Sequence, residues 1–403
     1  MKRLTFTIVG FQGFWAVSQA LIILAVSRLG GLEYVGFLVL GLAIFTPICL
    51  ATGFNLRSQL AIDNEGKIDI WSAITARTIS VTISLLVTSL TLLILADGNH
   101  RLWLVSTLLV ASRCADQIAD VATGYYQRAD TPLRIGYSLT GRAIASIMPL
   151  VTTASLGGSM IAAASTTLVA TVSVVLLIDV IPILRTTGSA RTARKPFLSG
   201  VTLHSAPYPF FDAMFMNSLR YMALAFLGTD ALGQLGIVQS LYAPIQLILT
   251  ATGYTYLTSA RSLVAEGDRI GLAHHIRRGI LYGIVGSSLF VTAAISVPPT
   301  LLGAAFLIEP SSLHHTLIVF AFAVFPLPCG SFIASNRMAN HQHGLMTASV
   351  LIPSAFLGIF FLWASFQPSD MITIEIIFAA FFVCSTCRVA ILLARRFEID
   401  RSM

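Results

Sequence analysis

The sequence predicts an all-α polytopic membrane protein, with about 12 transmembrane helices in two six-helix bundles related by a parallel pseudo-repeat. Three observations lead there. Of 403 residues, 56% are hydrophobic and only 11% charged, against roughly 25% charged in a soluble domain, and the mean hydropathy is +0.82. The apolar stretches have the length of membrane-crossing helices, about 20 residues, and not the period of barrel strands. Lysine and arginine then fall on one side of those stretches far more often than on the other.

Taken in order, span one covers 4–28, behind Lys2 and Arg3 and ending at Arg28. It is too long for a signal h-region and lacks a small-residue cleavage site, so no cleavable signal peptide is expected. Span two is 36–60, and span three, 70–96, follows a loop with Lys67. Spans four (102–126) and five (135–156) are joined through Arg128 and Arg134, and span six (159–184) stops at Arg185. The polar, basic linker Arg185–Pro196 separates two halves, 1–190 and 191–403. Spans seven (202–227) and eight (232–258) lead into a loop with Arg261, Arg269, Arg277 and Arg278. Spans nine (279–303), ten (314–336), eleven (345–366) and twelve (371–393) complete the second half, with Arg337 in a loop and Arg395, Arg396 and Arg401 at the end. With the N-terminus cytoplasmic, seventeen basic residues lie in inner segments and only Arg28 and Arg101 in outer ones, which puts both termini inside. The net charge of +7 therefore reports topology and anionic headgroups, not nucleic acid.

Short matches relate the halves. Gly36 precedes Pro47 as Gly233 precedes Pro244, and Glu65-Gly66 before Arg77 is answered by Glu266-Gly267 before Arg278. Both halves start on the same side, so the axis relating them runs along the membrane normal. Pro207-Tyr-Pro209 and Pro326-Leu-Pro328 are the densest proline clusters inside spans, and each is read as a bend, static or moving. Cys384 and Cys387 form a CxxC within a span, where packing is the expected role. His341-Gln-His343 reads as a polar loop, and no metal site or cofactor is expected.

Six arginines remain inside spans: Arg57, Arg77, Arg113, Arg142, Arg220 and Arg388. Arg57 and Arg388 lie near enough to inner ends to snorkel, whereas Arg77, Arg113, Arg142 and Arg220 lie too deep. A charge facing hydrocarbon is costly, so these side chains must face protein or water. Asp116, Asp120 and Asp212 are the acids set against them. Asp116 and Asp120 share one helix face with Arg113. Each deep arginine is either half of an interhelical pair, such as Arg113 with Asp116 or Asp120 and Arg220 with Asp212, or a binder of anionic substrate. Six cations against three acids favour an anionic cargo for the set. A cavity carboxylate can also exchange H⁺ or Na⁺, which makes the three aspartates coupling candidates.

Four stretches carry a family resemblance. They are Arg28-Leu-Gly-Gly-Leu-Glu-Tyr-Val-Gly36 with Pro47; Asn55-Leu-Arg57 through Asp63; Asp116-x-x-x-Asp120-x-x-x-Gly124-x-x-Gln127 with Ser138 and Arg142; and Asn217-Ser-Leu-Arg220-Tyr221 through Glu266-Gly-Asp268. Together they resemble the polysaccharide flippases of the multidrug, oligosaccharidyl-lipid and polysaccharide exporter superfamily, over residues 10–280. The resemblance implies movement of polyprenyl-diphosphate-linked sugar units across a bacterial inner membrane, through alternating access driven by an ion gradient. The deep arginines and the residues of these stretches together give an expected substrate site of Arg77, Arg113, Arg142, Arg220, Arg57, Asn55 and Asn217, with membrane lipids, a polysaccharide polymerase and glycosyltransferases as expected partners.

Two rivals stand beside it. A multidrug or metabolite cation-coupled antiporter shares the superfamily, but a carrier of organic cations is expected to present acids in its cavity. A membrane-embedded polymerase or glycosyltransferase needs a large outer loop or a soluble acidic-motif domain, and neither is present in this sequence.

Overall fold

The computed structural model describes residues 2–53, 56–57, 60, 69–129, 131–187, 207–339, 342–368 and 371–394. Asn55, Asp63, the Glu65–Lys67 loop, His341, the basic linker from residue 188 and the 190/191 boundary lie outside the described residues. Among the described residues there is no strand.

The elements are α1 (Lys2–Gly30), α2 (Leu32–Thr52), α3 (Ile70–Leu95), α4 (His100–Arg128), α5 (Pro132–Ser155) and α6 (Met160–Val174). A π-helical segment, Val175–Val180, continues α6 directly into α7 (Ile181–Thr187). Then follow α8 (Pro207–Ala265), α9 (Arg269–Ser296), α10 (Pro299–Phe306), α11 (Pro310–Ala323), α12 (Leu327–Ala339), α13 (His343–Ala364) and α14 (Ile374–Ala394).

Among the described residues, nine helical stretches are long and apolar enough to cross a membrane. Polar residues keep α4 and α5 out of that set, and Tyr208–Gln246 is two helices parted at Gly228, so twelve spans result. The lipid-facing pattern is inverted relative to a soluble helix. On α3, Arg77, Ser80, Ser84 and Thr88 are buried while Ile79, Ile83, Leu86, Leu90 and Ile94 are exposed. Their spacing of three and four residues makes one polar stripe facing protein and one aliphatic stripe facing lipid.

Helix starts follow local chemistry. Asp69, Asn99, Ser159 and Asp268 each cap a helix by accepting a backbone N–H from its first turn. The Asp268 cap corrects span nine: the helix begins at Arg269, so Arg277 and Arg278 lie within it, and it ends at Ser296 before Pro298 and Pro299. Pro207-Tyr-Pro209 lies at the beginning of the described part of α8, and the residues before it, 188–206, lie outside the described residues. Pro326-Leu-Pro328 does interrupt span ten, between α11 and α12. The Phe325 carbonyl at that break accepts Ser287 Oγ of α9 at 2.8 Å, so the break is held by a neighbouring helix.

The chain separates into two compact units, Met1–Phe210 and Phe211–Met403. Their backbones repeat at one diagnostic point. Gly31, between α1 and α2, has φ 83° and ψ −174°; Gly228, within α8, has φ 86° and ψ −174°. This conformation is open essentially to glycine alone. The two glycines are separated by the same sequence distance as Gly36 from Gly233 and Pro47 from Pro244.

Candidate functional site

In the first unit the charged groups gather around α4. Asp116 is shared by two arginines: Arg113 Nη1 approaches Oδ2 at 3.3 Å and Arg142 Nη1 approaches Oδ1 at 3.1 Å. The Arg142 side chain is only 3% exposed. Asp120, one helical turn on, meets Arg57 at 3.6 Å instead of Arg113. Gly124 makes that meeting possible, since a Cβ there would lie 2.6 Å from the Arg57 carbonyl. Arg77 reaches the same helix without a carboxylate: Nε donates to the Gln117 carbonyl at 3.1 Å, Nη1 to the Cys49 carbonyl at 3.3 Å and Nη2 to Gln117 Oε1. Neutral acceptors therefore hold a buried guanidinium there.

One acid in this network escaped the sequence reading. Asp179 lies in the π-helical segment, is fully buried, and accepts Ser138 Oγ at 2.9 Å on Oδ2; its Oδ1 has no hydrogen-bond partner. Pro182 brings no N–H to the Ile178 carbonyl four residues earlier. Tyr126 Oη donates to that carbonyl at 3.3 Å instead. The available signal was a lone aspartate in an apolar run with a proline three residues on, Asp179-Val-Ile-Pro182. Its inclusion adds a buried acid to Asp116, Asp120 and Asp212 and so narrows the excess of cations inside spans.

The second unit is arranged differently. Arg220 sits between two amides, with Nε donating to Gln239 Oε1 at 2.6 Å and Nη1 to Asn217 Oδ1 at 2.8 Å. The expected pairing of Arg220 with Asp212 does not occur. Asp212 is 2.7 Å from Arg388 Nη2, and the Arg388 side chain is 6% exposed against 34% for Asp212. Arg388 is thus a buried partner on α14 and not a snorkelling end. Its guanidinium lies 5.7 Å from the Phe215 ring centroid, and that ring stacks on Phe381. A cavity of about 260 Å³ opens beside the pair, walled by Tyr242, Gln246, Ser331 and Phe332 among others.

Arg337, placed in a loop by the hydropathy, is fully buried near the end of α12. Its Nε and Nη2 donate to the Leu392 carbonyl at 3.0 and 2.6 Å, and Nη1 donates to Gln342 Oε1 at 2.6 Å. Leu392 lies on α14, so Arg337 ties α12 to α14 through a backbone carbonyl.

Neither a protein-family model nor a curated protein matches the sequence. Solved structures do match its fold. A mutant of the Vibrio cholerae MATE transporter VcmN aligns with TM-score 0.69 at 14% identity, over 97% of this chain and 95% of that one. The eukaryotic MATE transporter AtDTX14 aligns with TM-score 0.65 at 12% identity, over 97% and 93%. A MOP superfamily transporter from Pyrococcus furiosus, described by a binding pocket of reverse polarity that suggests a different function, aligns with TM-score 0.64 at 15% identity, over 99% and 96%. The chain is therefore a multi-pass membrane protein with the fold of MATE transporters of the MOP superfamily. These solved neighbours are transporters and not enzymes.

Proposed function

We propose that the chain is a flippase for polyprenyl-diphosphate-linked oligosaccharide units, working in a bacterial inner membrane for surface polysaccharide biosynthesis. The observation that carries this reading is Arg220, a membrane-embedded guanidinium held by Asn217 and Gln239, with no carboxylate among its described partners. A diphosphate head is strongly hydrated and cannot cross hydrocarbon unaided. Arginine suits it because the fork stays charged and donates two hydrogen bonds to one phosphate. Asp116, Asp120 and Asp212 are the proposed coupling acids for H⁺ or Na⁺, and polysaccharide polymerases and glycosyltransferases are the proposed partners.

The second reading is a multidrug or metabolite cation-coupled antiporter. The solved neighbours favour it, because two are described as multidrug resistance transporters. Proteoliposomes separate the two. The flippase reading expects transfer of a fluorescent polyprenyl-diphosphate glycan between leaflets and no gradient-driven movement of ethidium. Ethidium transport without glycan transfer would select the antiporter.

A further inference from the structure

We propose that Arg388 binds a diphosphate group in the cavity of the second unit, and that Asp212 is its exchangeable internal counter-ion. The inference deepens the flippase reading and rests on it for the choice of ligand.

Four observations converge on this site. The cavity of about 260 Å³ is lined by both members of the ion pair. That volume is below the ~300–1,000 Å³ of pockets that take a whole drug-sized ligand, so it suits a charged head and not an entire glycolipid. The two charges are unequal in depth, Arg388 being 6% exposed and Asp212 34%. The cation is the floor of the site, packed by Phe215, whose ring stacks on Phe381, and the acid is the more exposed member.

The pair is also close without being well made. Nitrogen and oxygen are 2.7 Å apart, yet Asp212 Oδ1 accepts no hydrogen bond. A phosphate oxyanion entering the cavity can meet the guanidinium in the aligned, two-bond geometry that Asp212 does not achieve. Gln246 adds an amide to the wall, and the hydroxyls of Ser331 and Ser335, now donating to the Leu327 and Ser331 carbonyls at 3.1 and 3.0 Å, can rotate toward an oxyanion. Occupation would move Asp212 off Arg388 while bringing a second anion to the buried cation. A cationic ligand gains nothing comparable, since Arg388 stands behind the only acid of the described lining.

The test uses the full chain in nanodiscs of neutral lipid, titrated with inorganic pyrophosphate and, separately, with polyprenyl diphosphate incorporated in the bilayer. Asp212→Asn removes the internal competitor and should tighten binding by on the order of tenfold, while Arg388→Gln should abolish it. A merely structural pair predicts weaker or unchanged binding in Asp212→Asn, so that variant decides the matter even if Arg388→Gln does not fold. Unchanged affinity in Asp212→Asn, or wild-type binding in a folded Arg388→Gln, would overturn the proposal. Binding of both ligands supports a site for the head alone; binding of the polyprenyl form only supports a site for the lipid-borne diphosphate. Loss of diphosphate binding without loss of glycan transfer would end this inference and spare the flippase reading. Diphosphate binding by a protein that transfers no glycan would do the reverse.

Discussion

In the first unit one carboxylate, Asp116, lies between two arginines, Asp120 answers Arg57, and Asp179 lies fully buried against Ser138. In the second unit Arg220 is held by amides, and the Arg388–Asp212 pair borders a cavity. Yet the two share the glycine turn at Gly31 and Gly228 and the proline that follows each at equal spacing. A repeated backbone therefore does not carry a repeated charge pattern. In the first unit Arg57, Arg113 and Arg142 meet carboxylates, and in the second Arg220 is held by amides while the Arg388–Asp212 pair borders open volume. On the proposed reading the second unit accordingly holds the diphosphate, and the first supplies cohesion and the proposed coupling acids Asp116 and Asp120.

The largest effect expected to sharpen this contrast is at Asp116. Asp116→Asn leaves Arg113 and Arg142 facing a neutral amide and should cost about 3–5 kcal/mol, the cost of breaking a buried ion pair. Thermal unfolding of the purified protein measures it, and Asp212→Asn, at a more exposed acid, should lower stability far less. Equal losses would remove the distinction between the units.

Next comes the shared backbone. Gly31→Ala and Gly228→Ala should each destabilise by about 1–3 kcal/mol, because both force a side chain into a conformation reserved for glycine. Unequal costs, one near zero, would show that the repeat is not structural in both units.

Two serines, the second with the smallest expected effect, complete the comparison. Ser138→Ala removes a bond to a carboxylate and should cost about 1.5–3 kcal/mol if Asp179 is ionised. Ser287→Ala removes a bond to the neutral Phe325 carbonyl and should cost about 0.5–1.5 kcal/mol. Equal small losses in the two denaturation curves would mean that Asp179 carries a proton in the folded protein.

Much of the fold was legible because membrane solvation leaves a strong local record. The apolar runs, the basic loops, and the Gly36–Pro47 and Gly233–Pro244 spacing foretold twelve spans in two halves. Boundaries failed where capping decided them: Asp268 starts α9 ten residues before the hydropathy rises. The site was legible in residue type but less so in pairing. Arg113 with Asp116 is a one-turn neighbour relation that spacing reveals, whereas Asp212 with Arg388 joins α8 to α14 and leaves no mark in sequence. Arg337 looked like a loop residue because the Leu392 carbonyl it bonds belongs to a different helix. Asp179 was hidden by its own surroundings, a single acid in an otherwise ordinary span.

Activity per molecule in proteoliposomes, compared between arginines of the two units, tests the central assignment most directly. Rates of glycan transfer would be normalised to folded protein for Arg77→Ala and Arg142→Ala in the first unit and for Arg220→Ala and Arg388→Ala in the second. The assignment predicts reduced yield but near-wild-type transfer per molecule for the first pair, and at least a roughly tenfold loss of transfer per molecule for the second. Full transfer by both second-unit variants, with transfer lost in the first-unit ones, would contradict it.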